Sequence, residues 1–103
     1  MTDGVVTLRD VYEARQAIED IAVRTPLIPS MVLGERTGVR CHLKLENVQP
    51  SGAFKIRGAA NKLRALEPEE QARGIITVSS GNHGRAVALV ARELGIRAVV
   101  CMS

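Results

Sequence analysis

Two short polar turns carry the groups in this 103-residue chain that could do chemistry. The first is Ser51-Gly52-Ala53-Phe54-Lys55-Ile56-Arg57-Gly58. A lysine amine that has lost its proton adds to an aldehyde as a Schiff base, and burial or a neighbouring cation lowers its pKa. Phe54 could keep water from such an amine. Arg57 is a cation close in sequence, although the sequence does not fix its direction. Gly52 and Gly58 let backbone approach a flat ligand. The second turn is Ser79-Ser80-Gly81-Asn82-His83-Gly84. It lies between an apolar β-branched run and a helical pattern, at the carboxyl end of a strand, where open α/β sheets bind ligands. Backbone amides at the positive end of a helix suit a carboxylate or phosphate. Ser79, Ser80, Asn82 and His83 add hydroxyl, amide and imidazole groups. Each turn also has a plain structural reading. Lys55 could be a surface lysine opening a helix, and Ser80 or Asn82 could simply cap one.

Several other functions find no support. The second turn has neither the Gly-Lys-Ser/Thr ending of a P-loop nor the dinucleotide fingerprint, so nucleotide binding is rejected. His42 and His83 are the only histidines, and no Cys/His pair has zinc-site spacing, so no metal is expected. His42 falls on the polar phase of its strand and is expected to be exposed. The net charge of +3 comes from interleaved acids and bases, and aromatic content is 2%, which argues against nucleic acid. No apolar run approaches the roughly 18–20 residues of a membrane span. The amino terminus, with Asp3, is polar and unlike a secretory signal. Cys41 and Cys101 lie far apart in apolar stretches and are expected to be buried free thiols in a reducing cytosol. These features describe a soluble cytoplasmic protein with an aliphatic core.

The elements that must position the turns are legible from spacing. Thr7 is expected to cap the amide of Asp10 and open a helix whose buried face runs through Leu8, Val11, Ala14, Ile18 and Ile21. Pro26 and Pro29 hold the next segment extended. Ser30 caps a short helix that ends at Gly38. Residues 40–46 alternate apolar and polar side chains, as a strand does. A helix is expected from Phe54, with Ala59, Ala60, Leu63 and Leu66 as its stripe. Pro68 begins a short helical turn closed by Gly74. Residues 75–78 read as a buried strand, followed by a helix with Ala86, Val87, Val90, Ala91 and Leu94 inward and Gly95 at its end, then another strand at 97–102. This strand–helix–strand unit predicts two parallel strands with a right-handed crossover. Parallel strands need cover on both faces, which one such unit cannot provide.

The run from Leu43 to Ala59, Leu-Lys-Leu-Glu-Asn-Val-Gln-Pro-Ser-Gly-Ala-Phe-Lys-Ile-Arg-Gly-Ala, followed by Ser-Ser-Gly-Asn-His-Gly at 79–84, resembles the serine/threonine dehydratase family. Arg24-Thr25-Pro26-Leu27 is similar to the same family, and the resemblance covers nearly the whole chain. The tail, from Gly84 to Ser103, looks like the hydroxyectoine-utilisation branch. The resemblance implies the tryptophan-synthase-β-like (fold type II) α/β fold, truncated after one βαβ unit. Residues 1–72 would belong to the larger cofactor-binding domain, and 73–103 would begin the smaller α/β domain. It implies pyridoxal 5'-phosphate as cofactor and β-elimination from threonine or serine to a 2-oxo acid and ammonia. Lys55 would be the cofactor lysine and move the α-proton. Phe54 would pack on the cofactor ring, and Asn82 would bond its hydroxyl. Ser79, Gly81 and His83 would hold the substrate carboxylate. Ser80 matches the opposite-face acid/base of racemising relatives. Full-length relatives are often homo-oligomers.

The family's downstream phosphate loop and pyridine-nitrogen partner are not in these residues. The 103-residue chain is therefore expected to be a fragment or a truncated gene product, inactive alone. A cysteine-synthase-like β-replacement enzyme of the same fold is the nearest competitor. Phe54, the Ile56-Arg57-Gly58 run and His83 argue against it. A non-catalytic remnant is the third reading, for which exposed strand edges predict aggregation.

Overall fold

The structure is a computed structural model that describes residues 4–103; Asp3 lies outside them. Among the described residues, five α-helices and two separate two-stranded sheets form an α/β arrangement. Helix α1 (Leu8–Ile18) opens with the expected reciprocal cap. Thr7 Oγ1 accepts from the Asp10 amide at 3.2 Å, and the Thr7 amide donates to Asp10 Oδ2 at 2.7 Å. The Thr7 hydroxyl and amide also hold the Asp10 carboxyl below its ordinary pKa.

Strand β1 (Leu27–Pro29) pairs antiparallel with β2 (His42–Lys44), with Ile28 opposite Leu43. Between them, α2 (Met31–Thr37) starts at Ser30, whose hydroxyl accepts from the Leu33 amide, and stops at Gly38, whose φ of 72° is left-handed. The extended segment imposed by Pro26 and Pro29 is thus a strand, and the alternating stretch at 40–46 pairs over its middle. His42 is exposed, as expected.

A 3-10 turn (Glu46–Val48) and the first polar turn lead into α3 (Lys55–Arg64). Helix α4 (Pro68–Arg73) starts with proline and ends at Gly74. Strand β3 (Ile75–Val78), α5 (Asn82–Leu94) and β4 (Ala98–Cys101) complete the chain, with α5 closed by left-handed Gly95. The two strands are parallel, in the register Ile75–Ala98 to Val78–Cys101.

One aliphatic core joins Ile18 at the end of α1, Ile21 and Ala22 just after it, Ile56, Ala59, Ala60 and Leu63 of α3, and Ala86, Val87, Val90 and Ala91 of α5. It spans both segments distinguished in sequence, 1–72 and 73–103. Ile56 and Val90 are fully buried, and each such side chain contributes roughly 1.5–3 kcal/mol. Arg64 pairs with Asp20 and ties the far end of α3 to the turn after α1.

Three burial expectations are corrected. Leu8 and Val11 are exposed, because only the carboxyl end of α1 reaches α3; the inward face begins near Ala17 and Ile18. Strand β3 is not buried. Ile76 and Val78 are 72% and 80% exposed, because α5 covers only one face of this sheet. For the same reason Cys101 on β4 is an exposed thiol, and Cys41 is half-buried just before β2. Among the described residues no helix is long and apolar enough to cross a membrane.

Candidate active site

Lys55 is the first residue of α3, with Phe54 at the cap position. The turn before it is shaped by Gly52, whose φ of +77° is left-handed, and by the Gly52 amide donating to the Gln49 carbonyl at 2.7 Å. Ser51 is fully buried and its hydroxyl donates to the Ala53 carbonyl at 3.0 Å. The Lys55 ammonium stands 5.4 Å from the centroid of the exposed Phe54 ring, within cation–π reach. Among the described residues Lys55 has no ion-pair partner.

Arg57 does not act on that amine. It turns the other way, into a network around Glu46. Its Nε donates to Glu46 Oε1, and its terminal nitrogen donates to Glu46 Oε2 at 3.1 Å and to the Val23 carbonyl at 3.2 Å. Thr25 Oγ1 donates to the same Oε2 at 2.6 Å, and Gln49 Nε2 donates to it at 3.0 Å. Gln49 also grips both polar groups of Val23, accepting from its amide at 2.9 Å and donating to its carbonyl at 2.7 Å. Hydrogen bonding from Arg57 outweighs partial burial and, with Thr25 and Gln49, lowers the Glu46 carboxyl to about 2.

The second turn opens α5. Neither Ser80 nor Asn82 is its cap. Gly81 occupies that position without a side-chain bond, and the hydroxyl that holds the turn is Ser79 Oγ. It accepts from the Gly81 amide at 3.2 Å and the Gly84 amide at 3.0 Å. Ser79 reaches both because Gly84 is buried against it: a Cβ there would lie 3.2 Å from the Ser79 carbonyl oxygen and 2.9 Å from Val100 Cγ1. The amides of Asn82 and His83 remain as first-turn donors. Ser80, Gly81, Asn82 and His83 are exposed.

The two turns share one groove. A cavity of about 430 Å³ is lined by Lys55, Lys62, Thr77 and His83 over an apolar floor that includes Leu63, Ile75 and Val87. His83 Nε2 lies 3.1 Å from Thr77 Oγ1, so the strand hydroxyl orients the ring. Of the residues singled out from sequence, the structure brings Lys55 and His83 onto this groove. Phe54 stands under the Lys55 ammonium, while Ser79, Ser80, Gly81 and Asn82 form the turn just before His83 and do not line the groove.

These groups fit a flat, anionic aldehyde. An exposed primary amine rests on an aromatic face, Gly58 one turn on would set its Cβ in open space, and helix-end amides supply anion donors. Sequence reasoning missed Thr77, Lys62 and the Glu46 network. The only local signal for the network was Glu46 and Gln49, spaced three apart between a strand and a glycine loop.

Residues 18–103 match the family described as pyridoxal-phosphate dependent enzyme. The chain is 48% identical over 102 residues to the catabolic L-threonine dehydratase of Staphylococcus aureus, covering 98% of this chain and 30% of that protein. It is 46% identical over 98 residues to the L-threonine ammonia-lyase of Thermotoga maritima, covering 95% of this chain and 24% of that one. The solved structure of maize serine racemase superposes with a TM-score of 0.85 at 40% identity, over 92% of this chain and 30% of the racemase. The chain thus spans 24–30% of the length of these relatives, matching their amino-terminal part.

Proposed function

The chain belongs to the pyridoxal-phosphate-dependent enzyme family, and from that premise we propose that it forms the amino-terminal part of a hydroxy-amino-acid ammonia-lyase. The substrate is threonine or serine, and the products are a 2-oxo acid and ammonia. Water leaves with the β-hydroxyl, and water is consumed when the carbon–nitrogen bond is hydrolysed. When bound, pyridoxal phosphate supplies an aldehyde for the lysine and a ring that accepts the electron pair left by the departing α-proton.

The chain's own residues divide the remaining work. Lys55 holds the cofactor through its ε-amine and moves the α-proton on one face. Phe54 packs against the ring. Asn82 donates its side-chain amide to the ring hydroxyl. Ser79, Gly81 and His83 receive the substrate carboxylate. Although Ser79 Oγ already accepts two amides, its own proton is still available to donate. Ser80, exposed at the head of the same turn, is the acid/base for the opposite face. The observation that carries this reading is a lysine with no ion-pair partner among the described residues, lining the same groove as His83.

A chimera tests it. Residues 18–103 replace the matching segment of the Staphylococcus aureus threonine dehydratase, with Lys55→Ala as control. We expect 2-oxo acid and ammonia from L-threonine or L-serine, abolished in the control, with no sulfide-dependent turnover of O-acetylserine. A folded chimera that turns over neither hydroxy amino acid, or whose turnover survives Lys55→Ala, contradicts the proposal. Preferred turnover of O-acetylserine transfers it to β-replacement.

A further inference from the structure

We propose that Glu46 is a positioning residue, a single carboxylate that fastens both ends of the loop bearing Lys55. This rests on the reading of Lys55 as the cofactor lysine. At one end of the loop Gln49 Nε2 donates to Glu46 Oε2 at 3.0 Å, and at the other Arg57 donates to both carboxylate oxygens. Thr25 Oγ1, on a third segment, donates to Oε2 at 2.6 Å. Four donors thus converge on one carboxylate, three of them on Oε2.

The bonds land where they can govern the amine. Gln49 and Arg57 bracket Ser51, Gly52, Ala53, Phe54 and Lys55. Tying the bracket removes the closure entropy that a free glycine-containing loop would recover on opening. Arg57 lies in the first turn of α3, two positions after Lys55 and so about 200° around the helix from it. Holding Arg57 on the Val23 and Glu46 side therefore presents Lys55 on the far side, toward the groove. The Glu46 side chain is 17% exposed, so its carboxylate is largely out of water, where charge-assisted bonds are stronger, while Arg57 is about one-third exposed. The exposed Arg9–Glu13 pair on α1 has no such geometry.

The test is peptide-resolved amide exchange on the chimera carrying residues 18–103, with pyridoxal phosphate and borohydride labelling of the same samples. Glu46→Gln keeps the shape and removes the charge. It is expected to raise exchange in residues 51–56 by about tenfold, the loss of one charge-assisted hydrogen bond, while α5 keeps its protection. The share of label at Lys55, relative to Lys44 and Lys62, falls in parallel. Arg57→Lys retains the charge but loses the fork, and gives a smaller local rise should Glu46→Gln fail to fold. Unchanged loop exchange, or exchange that rises uniformly with α5, makes Glu46 an ordinary structural acid and overturns the proposal. Exchange reads the clamp without the cofactor. A chimera with the wild-type segment that never labels Lys55 therefore contradicts the cofactor reading alone.

Discussion

The turn that carries Lys55 is fastened by charge, whereas the turn that opens α5 is fastened by one hydroxyl. Glu46, Gln49, Thr25 and Arg57 tie the first turn to segments distant in sequence. Ser79 ties the second to itself, through amides two and five residues on. A lysine on a flexible stem needs its backbone held from outside. A turn whose value lies in exposed amides needs only its own backbone shape and a small residue, Gly84, to let it sit close to the sheet.

Removing the clamp should do the most damage. Glu46→Ala leaves the Arg57 guanidinium, Thr25 and Gln49 without their shared acceptor. The expected loss is about 2–3 kcal/mol in urea unfolding, trimmed because Arg57 is about one-third exposed. The same clamp gives the first turn a pH dependence that the second lacks. The Glu46 carboxyl is lowered from 4.5 to about 2 in the folded chain. Its contribution is therefore complete above pH 4.5 and is lost as pH falls toward 2. Acid titration should show Glu46→Gln and wild type converging in stability across that window. Parallel curves would place the effect elsewhere.

At the second turn, Gly84→Ala pushes a Cβ to 2.9 Å from Val100 Cγ1. Overpacking of about 1–3 kcal/mol, less the roughly 1 kcal/mol that alanine gains in a helix, should lower the melting temperature by several degrees. Ser79→Ala should be the mildest change, about 1 kcal/mol, as for other helix-start hydroxyls. A Ser79→Ala loss larger than that of Glu46→Ala would reverse the comparison.

How much of this was legible in sequence follows the same division. Local devices read correctly. The Thr7–Asp10 cap, Ser30, Gly38, Gly95 and the parallel βαβ unit all depend on residues near one another. Burial read less well, because it depends on what lies opposite. Leu8 and Val11 fit a helical stripe, yet only the end of α1 meets α3. Cys101 sits in an apolar strand whose outer face has no cover. Arg57 was visible as a cation near Lys55, but its direction was settled by Glu46 and Val23, far away in the chain. Pairing of β1 with β2 was hidden for the same reason: the prolines announced an extended segment, not its partner.

The central claim is that Lys55 is the cofactor lysine, and trapping tests it most directly. The chimera carrying residues 18–103 is incubated with pyridoxal phosphate, reduced with borohydride and mapped by peptide mass spectrometry, with Lys55→Ala alongside. Residues 18–103 contain three lysines, Lys44, Lys55 and Lys62. Stoichiometric label at Lys55, lost in Lys55→Ala, is the predicted result. Label spread over all three lysines, or retained in Lys55→Ala, would contradict the account.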